Sequence, residues 1–380
     1  MTQNTSERLR EQMPVARRWA YFDHAAVAPM PQAAHDALAE WLADVVENGD
    51  VHWPRWSERL EQVRQRAAQF IGAQPAEIAL VRNTTEGINL VAEGFPWQPG
   101  DNVVTLADEF PSNLYPWMQL QRLGVETRRV AVTAAKPDLS AVVAACDSRT
   151  RLVSISWVGY ASGWRHDLAE LCELAHGRGA LLFVDAIQGL GVFPIDVQAT
   201  PIDFLAADGH KWLLGPEGAG VFYLRREHLG RLRPVGVGWN SVRQGADFGR
   251  IELEFKDSAA RYEGGTYNVG GLVALGASLE LLAALGAEAL AASVLEITDL
   301  ACARLQSLGA TIFSCRQGEH RSGIVSFGLP GRSPVELRKR CLAAGVALSC
   351  RGGRLRISPH AYNQPADVDR LIAVLAGAHP

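Results

Sequence analysis

The stretch RLVSISWVGYASGWRHDLAELCELAHGRGALLFVDAIQG, Arg151 to Gly189, changes its hydrophobic period twice. RLVSISWVG and GALLFVDAIQG are short apolar runs, and each reads as a strand buried on both faces. Between them DLAELCELAHGRG places apolar residues at Leu168, Leu171, Cys172 and Leu174, the period of an amphipathic helix, with Gly177 or Gly179 as its stop. Strand, helix, strand is a βαβ crossover. It predicts an α/β fold whose mostly parallel sheet is covered by helices, and it directs attention to the carboxyl ends of the strands, where such sheets bind ligands.

The rest of the chain is consistent with that frame. With 380 residues, 48% of them hydrophobic and 21% charged, the protein has the balance of a globular chain of about two domains. A formal net charge of −4 without a long basic run argues against nucleic acid or an anionic membrane as the main partner. The N-terminal segment MTQNTSERLREQMPVARRWAYF has no apolar block, and no apolar run is long enough to span a bilayer, so the expected location is the cytoplasm. Six scattered cysteines form no C-x-x-C pair, which argues against a zinc ribbon or a disulfide framework. DNVVTLADE reads as a further strand. Near Asn268 the texture changes: GGTYNVGGLVALGASLELLAALGAEAL reads as one long apolar helix, followed by helices and short strands such as GIVSFGL and GRLRISP. The expected division is an N-terminal arm over 1–20, a large domain over 21–262, and an interdomain helix with a smaller α/β domain over 263–380.

The strand ends are polar where the strands are apolar. Asp185 and Gln188 follow ALLFV, Thr84 and Thr85 follow EIALVRN, and Asp208, His210 and Lys211 follow IDFLAA. A carboxylate at one strand tip and a lysine at a later one suit a cofactor with a cationic ring nitrogen and an aldehyde, which is pyridoxal 5′-phosphate. Asn83, Thr84 and Thr85 read as the first turn of a helix, where free N–H groups, hydroxyls and the helix dipole favour a phosphate. A nicotinamide-binding reading fails because GLG at Gly189–Gly191 lacks the G-x-G-x-x-G spacing.

Six segments, RNTTEGINLVA, VDAIQG, DGHKWLLGPEGAG, YEGGTYN, YFDHAAVAP and GGRLRISPHAYNQPADVDRL, together resemble the class V aminotransferase family of fold type I pyridoxal phosphate enzymes from about Tyr21 to Leu371. That family includes cysteine desulfurases, selenocysteine lyases, isopenicillin N epimerase-like proteins and kynureninases. The resemblance implies a seven-stranded, mostly parallel sheet in the large domain. It also implies that Lys211 makes the Schiff base and moves protons at the substrate α-carbon, that Asp185 pairs with the pyridine nitrogen, and that Gln188 bonds the ring's phenolic oxygen. Thr84, Thr85 and His210 take the place of phosphate ligands. Thr266, in the GGT turn, takes that of a ligand to the other subunit's phosphate, which implies a homodimer with composite sites. Arg356 matches the arginine that grips the substrate carboxylate, with Arg351 and Arg354 close by, and His24, Ala25 and Ala26 match a segment lining the substrate pocket.

Departures from the desulfurase pattern bear on the reaction. Where desulfurases stack a histidine on the ring, this chain has Phe110 in DEFPSNLYPW, as in the kynureninase pattern. Cys350 stands directly before Arg351 with almost no loop to carry a thiolate to a substrate sulfur. Tyr160 replaces an asparagine, and an ionised Asp208 near a phosphate would repel it unless paired or turned away. The expectation is a pyridoxal phosphate enzyme acting at the α-carbon of an amino acid. Aminotransferase chemistry leads, with a carbon–sulfur or carbon–selenium lyase or an epimerase as alternatives and a non-catalytic binding protein as the rival class.

Overall fold

Neighbouring residues along the central strands feed opposite cores. Leu182 and Val184 pack into one apolar cluster and Phe183 into another, and Leu205 and Ala207 separate in the same way from Phe204 and Ala206. A sheet that buries both pleats needs a layer on each face, and here both are present. The computed structural model describes residues 5–132 and 136–377, so the first four residues of the expected arm and the last three of the C-terminal portion lie outside the described residues.

The strands are β1 (Ala20–Tyr21), β2 (Ile78–Val81), β3 (Asn102–Leu106), β4 (Glu126–Val130), β5 (Thr150–Ser156), β6 (Leu181–Asp185), β7 (Phe204–Asp208), β8 (Gly220–Leu224), β9 (Thr311–Ile312), β10 (Val325–Gly328), β11 (Val346–Ala347), β12 (Ser349–Arg351) and β13 (Arg354–Ile357). The large sheet has seven strands in the order β2-β8-β7-β6-β5-β3-β4. Pairing is parallel from β7 through β6, β5 and β3 to β4, and antiparallel only where β8 meets β7 and β2. This is the mostly parallel, helix-covered sheet of fold type I. The crossover helix spans Leu168–His176, capped by the Asp167 carboxylate on the N–H groups of Ala169 and Glu170.

The long apolar helix expected after Asn268 is two helices, Val269–Leu285 and Ala287–Ser307, bent by 84°. Gly286 stands between them with φ 85°, a backbone conformation glycine adopts without penalty. The first joins the main core through Leu272, Leu275, Leu279 and Leu282, and the second turns away to face another cluster through Ile297, Ala301 and Leu305. That cluster also holds Val325, Phe327, Leu355 and Ile357 of a four-stranded sheet ordered β12-β13-β10-β9, together with Ala20 and Phe22 from the N-terminal segment. Parallel pairing of β1 with β11 anchors that segment and carries Asp23 and His24 towards the carboxyl end of the large sheet. Among the described residues no single helix is long and apolar enough to cross a membrane.

Candidate active site

Three parallel strands end side by side: Ser156 of β5 is in register with Asp185 of β6, and Asp185 with Ala206 of β7, two residues before Asp208. The Asp185 carboxyl is 2% exposed and accepts the Ile187 N–H at 3.1 Å. Burial pushes it up to about 6, while that hydrogen bond and the Lys211 charge pull it back down. Lys211 follows β7 in a tight turn. Leu214 N donates to Lys211 O at 3.0 Å, and Leu214 is held at φ 57°, unusual for a branched side chain. Burial draws the Lys211 amine down to about 8, against the upward pull of Asp185. A buried acid and a buried amine thus sit close enough for each to shift the other.

The neighbouring groups converge on the same place. The Phe110 ring, 42% exposed, has its centroid 5.6 Å from Lys211 Nζ and meets Tyr160 edge-on at 5.3 Å. Gln188 is buried. Its amide donates to Ala25 O at 3.0 Å and accepts from Trp212 Nε1 at 2.8 Å, which leaves it one N–H to offer. The helix Thr84–Gly94 begins behind β7: the Asn83 side chain caps Glu86 N, the Thr84 hydroxyl accepts from Asp208 N at 2.9 Å, and the Thr85 hydroxyl donates to Ser112 Oγ at 2.9 Å. Asp208 Oδ2 lies 2.9 Å from His210 Nδ1 at an angle too poor for a hydrogen bond, and Asp208 Oδ1 is buried without a partner. This pairing turns the Asp208 charge onto the imidazole.

Arg356, on β13, is 1% exposed, whereas Arg351 and Arg354 are exposed and Arg354 stacks over Phe313. Burial thus singles out Arg356 among the three. His24 does not open onto the site. Its imidazole is fully buried between Ser358 O at 2.8 Å and Tyr362 Oη at 2.9 Å, and burial holds it well below its ordinary value. Thr266 is exposed and lies apart from this cluster within one protomer, on a cleft with Gly236, Glu263 and Tyr267.

Several contributors were not singled out in the sequence. Glu109 is buried next to Phe110 and accepts from Ser156 N at 2.7 Å and from the Ser156 hydroxyl, and its carboxyl is pushed up to about 7 by burial. Ser112 partners Thr85, Trp212 holds Gln188, and Asp23 and Ser349 flank Arg356. The only available signal was adjacency, since Glu109 and Ser112 sit in DEFPSN, Trp212 in GHKW and Asp23 in YFDHAA. A cleft of about 480 Å³ beside Arg165 and His166 contains none of these groups, so convergent chemistry locates the site here and cavity size does not.

Pyridoxal phosphate fits the residues present. Among the described residues Lys211 is the cation that acts on the buried Asp185 carboxyl, the lysine amine is poised near neutrality, an aromatic face stands beside it, and a helix N-terminus with two threonine hydroxyls and His210 lies behind.

The family model for aminotransferase class-V matches residues 20–371. A probable cysteine desulfurase of Methanothermobacter thermautotrophicus is 31% identical over 389 residues, covering 96% of each chain. Among solved structures, the apo cysteine desulfurase of Thermococcus onnurineus NA1 superposes with a TM-score of 0.88 at 27% identity over 97% of this chain and 96% of its own. The cystine C-S lyase C-DES, in complex with its reaction product cysteine persulfide, superposes with a TM-score of 0.91 at 24% identity over 97% and 100%, a likeness of fold.

Proposed function

The chain belongs to the aminotransferase class-V family, and we propose that within it this protein is a pyridoxal phosphate-dependent lyase that cleaves the β-carbon–sulfur or –selenium bond of an amino acid without a cysteine nucleophile of its own. The choice of a sulfur amino acid draws on the relatives' names, cysteine desulfurase and cystine C-S lyase. The observation that carries the proposal is the placement of Cys350. It lies within β12, joined to β13 by the two glycines Gly352 and Gly353, with its thiol donating to Pro334 O at 3.3 Å and pushed up by burial. A two-residue turn fixed by strand pairing gives a thiolate no tether along which to reach a substrate sulfur.

The bound cofactor supplies a protonated ring that accepts the electron pair left at the α-carbon. Lys211 would hold the cofactor covalently, and its amine, near 8, is matched at neutral pH to taking the proton from the substrate α-carbon. Asp185 would keep the proton on the ring nitrogen, Gln188 would serve the phenolic oxygen, and Phe110 would supply an aromatic face to the ring. Thr84, Thr85 and His210 hold the phosphate. Arg356 binds the substrate carboxylate through its planar guanidinium, which a carboxylate matches in two bonds. The β-substituent would leave with its bonding pair and take up a proton, as hydrogen sulfide or hydrogen selenide from cysteine or selenocysteine or as a persulfide from cystine, and one water would hydrolyse the three-carbon remainder to pyruvate and ammonia.

We propose also that two copies complete the sites, with Thr266 reaching the partner's phosphate. In support, Phe248, Ile251 and Leu253 are 74%, 90% and 71% exposed on the segment that leads into the Thr266 turn, more apolar surface than a lone protomer needs. A smaller domain within 263–380 is supported by the separate C-terminal core, which also takes in Ala20 and Phe22 from the chain's start, and a cytoplasmic location remains our reading of the sequence. The test is product identification from cysteine, cystine and selenocysteine, with and without a keto-acid acceptor. Pyruvate and ammonia in equal amounts without acceptor are expected. Turnover that requires the acceptor, or racemised amino acid as the sole product, would refute the lyase reading.

A further inference from the structure

The Arg356 guanidinium has five N–H donors, and among the described residues three are spent within the protein. Nε donates to Ser349 Oγ at 3.1 Å, Nη1 to Tyr160 O at 2.7 Å and Nη2 to Asp23 Oδ1 at 3.4 Å. Ser349 also lies beside the Asp23 carboxyl and favours its charged form, so Arg356, Ser349 and Asp23 stand together in one corner. One hydrogen remains on each terminal nitrogen, the pair a substrate carboxylate needs. A second carboxylate arriving there would share a guanidinium that is 1% exposed with one already seated beside it.

We propose that Asp23 is a gating and positioning residue: it neutralises Arg356 in the free enzyme, and binding of the substrate carboxylate is coupled to uptake of one proton from solvent by Asp23. The inference rests on Arg356 being the carboxylate clamp of the proposed function. The groups facing Asp23 permit it. Tyr21, on its own segment, is pushed up to about 12 by burial and by Asp23 and stays neutral, and His24 turns away to Ser358 and Tyr362. From β12 come Ser349, the protonated Cys350 and the exposed Arg351, and from β13 Arg356. Asp23 is thus the resident anion of this corner, and burial has already moved it above the ordinary carboxylate range, against the pull of Ser349, Arg356 and Arg351. A new negative charge on the same guanidinium raises it further.

The test titrates the holoenzyme with propionate, which has a carboxylate and no amine to react with the cofactor, by calorimetry in two buffers of different ionisation enthalpy between about pH 6 and 8. We expect close to one proton taken up per propionate and an affinity that falls by about tenfold per pH unit once free Asp23 is ionised. Asp23→Asn should abolish the uptake, flatten the profile and bind at least about tenfold tighter at pH 8, where like-charge repulsion has been removed. The cofactor's visible absorbance, which reports protonation at the Lys211 linkage, is followed in parallel. Zero uptake by the parent protein, uptake matched by an equal absorbance change, or an unchanged slope in Asp23→Asn overturns the inference. The parent's own proton count decides the matter even if the variant folds poorly. Parental affinity in Arg356→Lys would show instead that the clamp is misplaced, and the inference falls with it.

Discussion

Replacing Asp185 by asparagine should stabilise the cofactor-free protein while disabling the enzyme. The carboxyl titrates at about 6 in the fold against 3.8 as its ordinary value, and it is fully enclosed. An acid whose folded value lies above its unfolded one costs nothing below the unfolded value, and the penalty grows as pH rises to the folded value and is constant beyond. At about 1.4 kcal/mol per pH unit the full penalty is about 3 kcal/mol at pH 8 and about half of that at pH 5. Part is returned, because Lys211 loses the charge that holds its amine up. A net gain of about 1–3 kcal/mol is expected, since the amide of the variant keeps an oxygen for the Ile187 N–H. The assay is thermal melting of cofactor-free parent and Asp185→Asn at pH 5 and pH 8, beside activity of the loaded forms. The variant should melt higher at pH 8 with the gap shrinking at pH 5, and its activity should fall by at least about 100-fold without an anion to hold the ring proton. Equal melting at pH 8, or a gap of the same size at both pH values, would refute the electrostatic reasoning.

Three further outcomes follow from particular contacts. Arg356→Lys keeps the charge but loses the planar fork, so KM for the amino acid should rise about 100-fold, the equivalent of about 2–3 kcal/mol, with a smaller change in kcat. Cys350→Ala should leave the rate of sulfur release within about twofold, because the thiol is bonded to Pro334 O within a paired strand; loss of activity in that variant would restore a desulfurase mechanism. Gly191 has φ 100° and a Cβ there would stand 2.3 Å from Trp212 O, so Gly191→Ala should displace the backbone next to Lys211, lowering the melting temperature and the cofactor content of purified protein by an amount set by a cost of about 3 kcal/mol or more.

What could be read from the chain beforehand follows the range of the interactions involved. Strand, helix, strand over 151–189 is a local pattern of burial, and the parallel sheet followed from it because side chains such as Phe183 and Val184 have no polar face to show water. Asp185, Lys211 and Gln188 were legible for a related reason, since the carboxyl ends of parallel strands are where a short polar tip interrupts apolar sequence. The bend at Gly286 was not, because Leu282 and Leu285 before it and Leu290 and Val294 after it keep one helical composition. Leu290 and Val294 still pack in the main core, and only further along, from Ile297 to Leu305, does the second helix face another. The partners of Arg356 were hidden more deeply still. Ser349 lies 7 residues from it, Tyr160 196 and Asp23 333, so no periodicity connects them. A motif can mark an arginine as a carboxylate clamp, but how many of its hydrogens are free, and which anion already shares it, depends on three segments that only the fold brings together. That count of free donors separates a clamp that simply attracts substrate from one whose affinity is metered by a neighbouring acid. For this reason the pH dependence of carboxylate binding reports on Asp23 more directly than any substitution of Arg356 could.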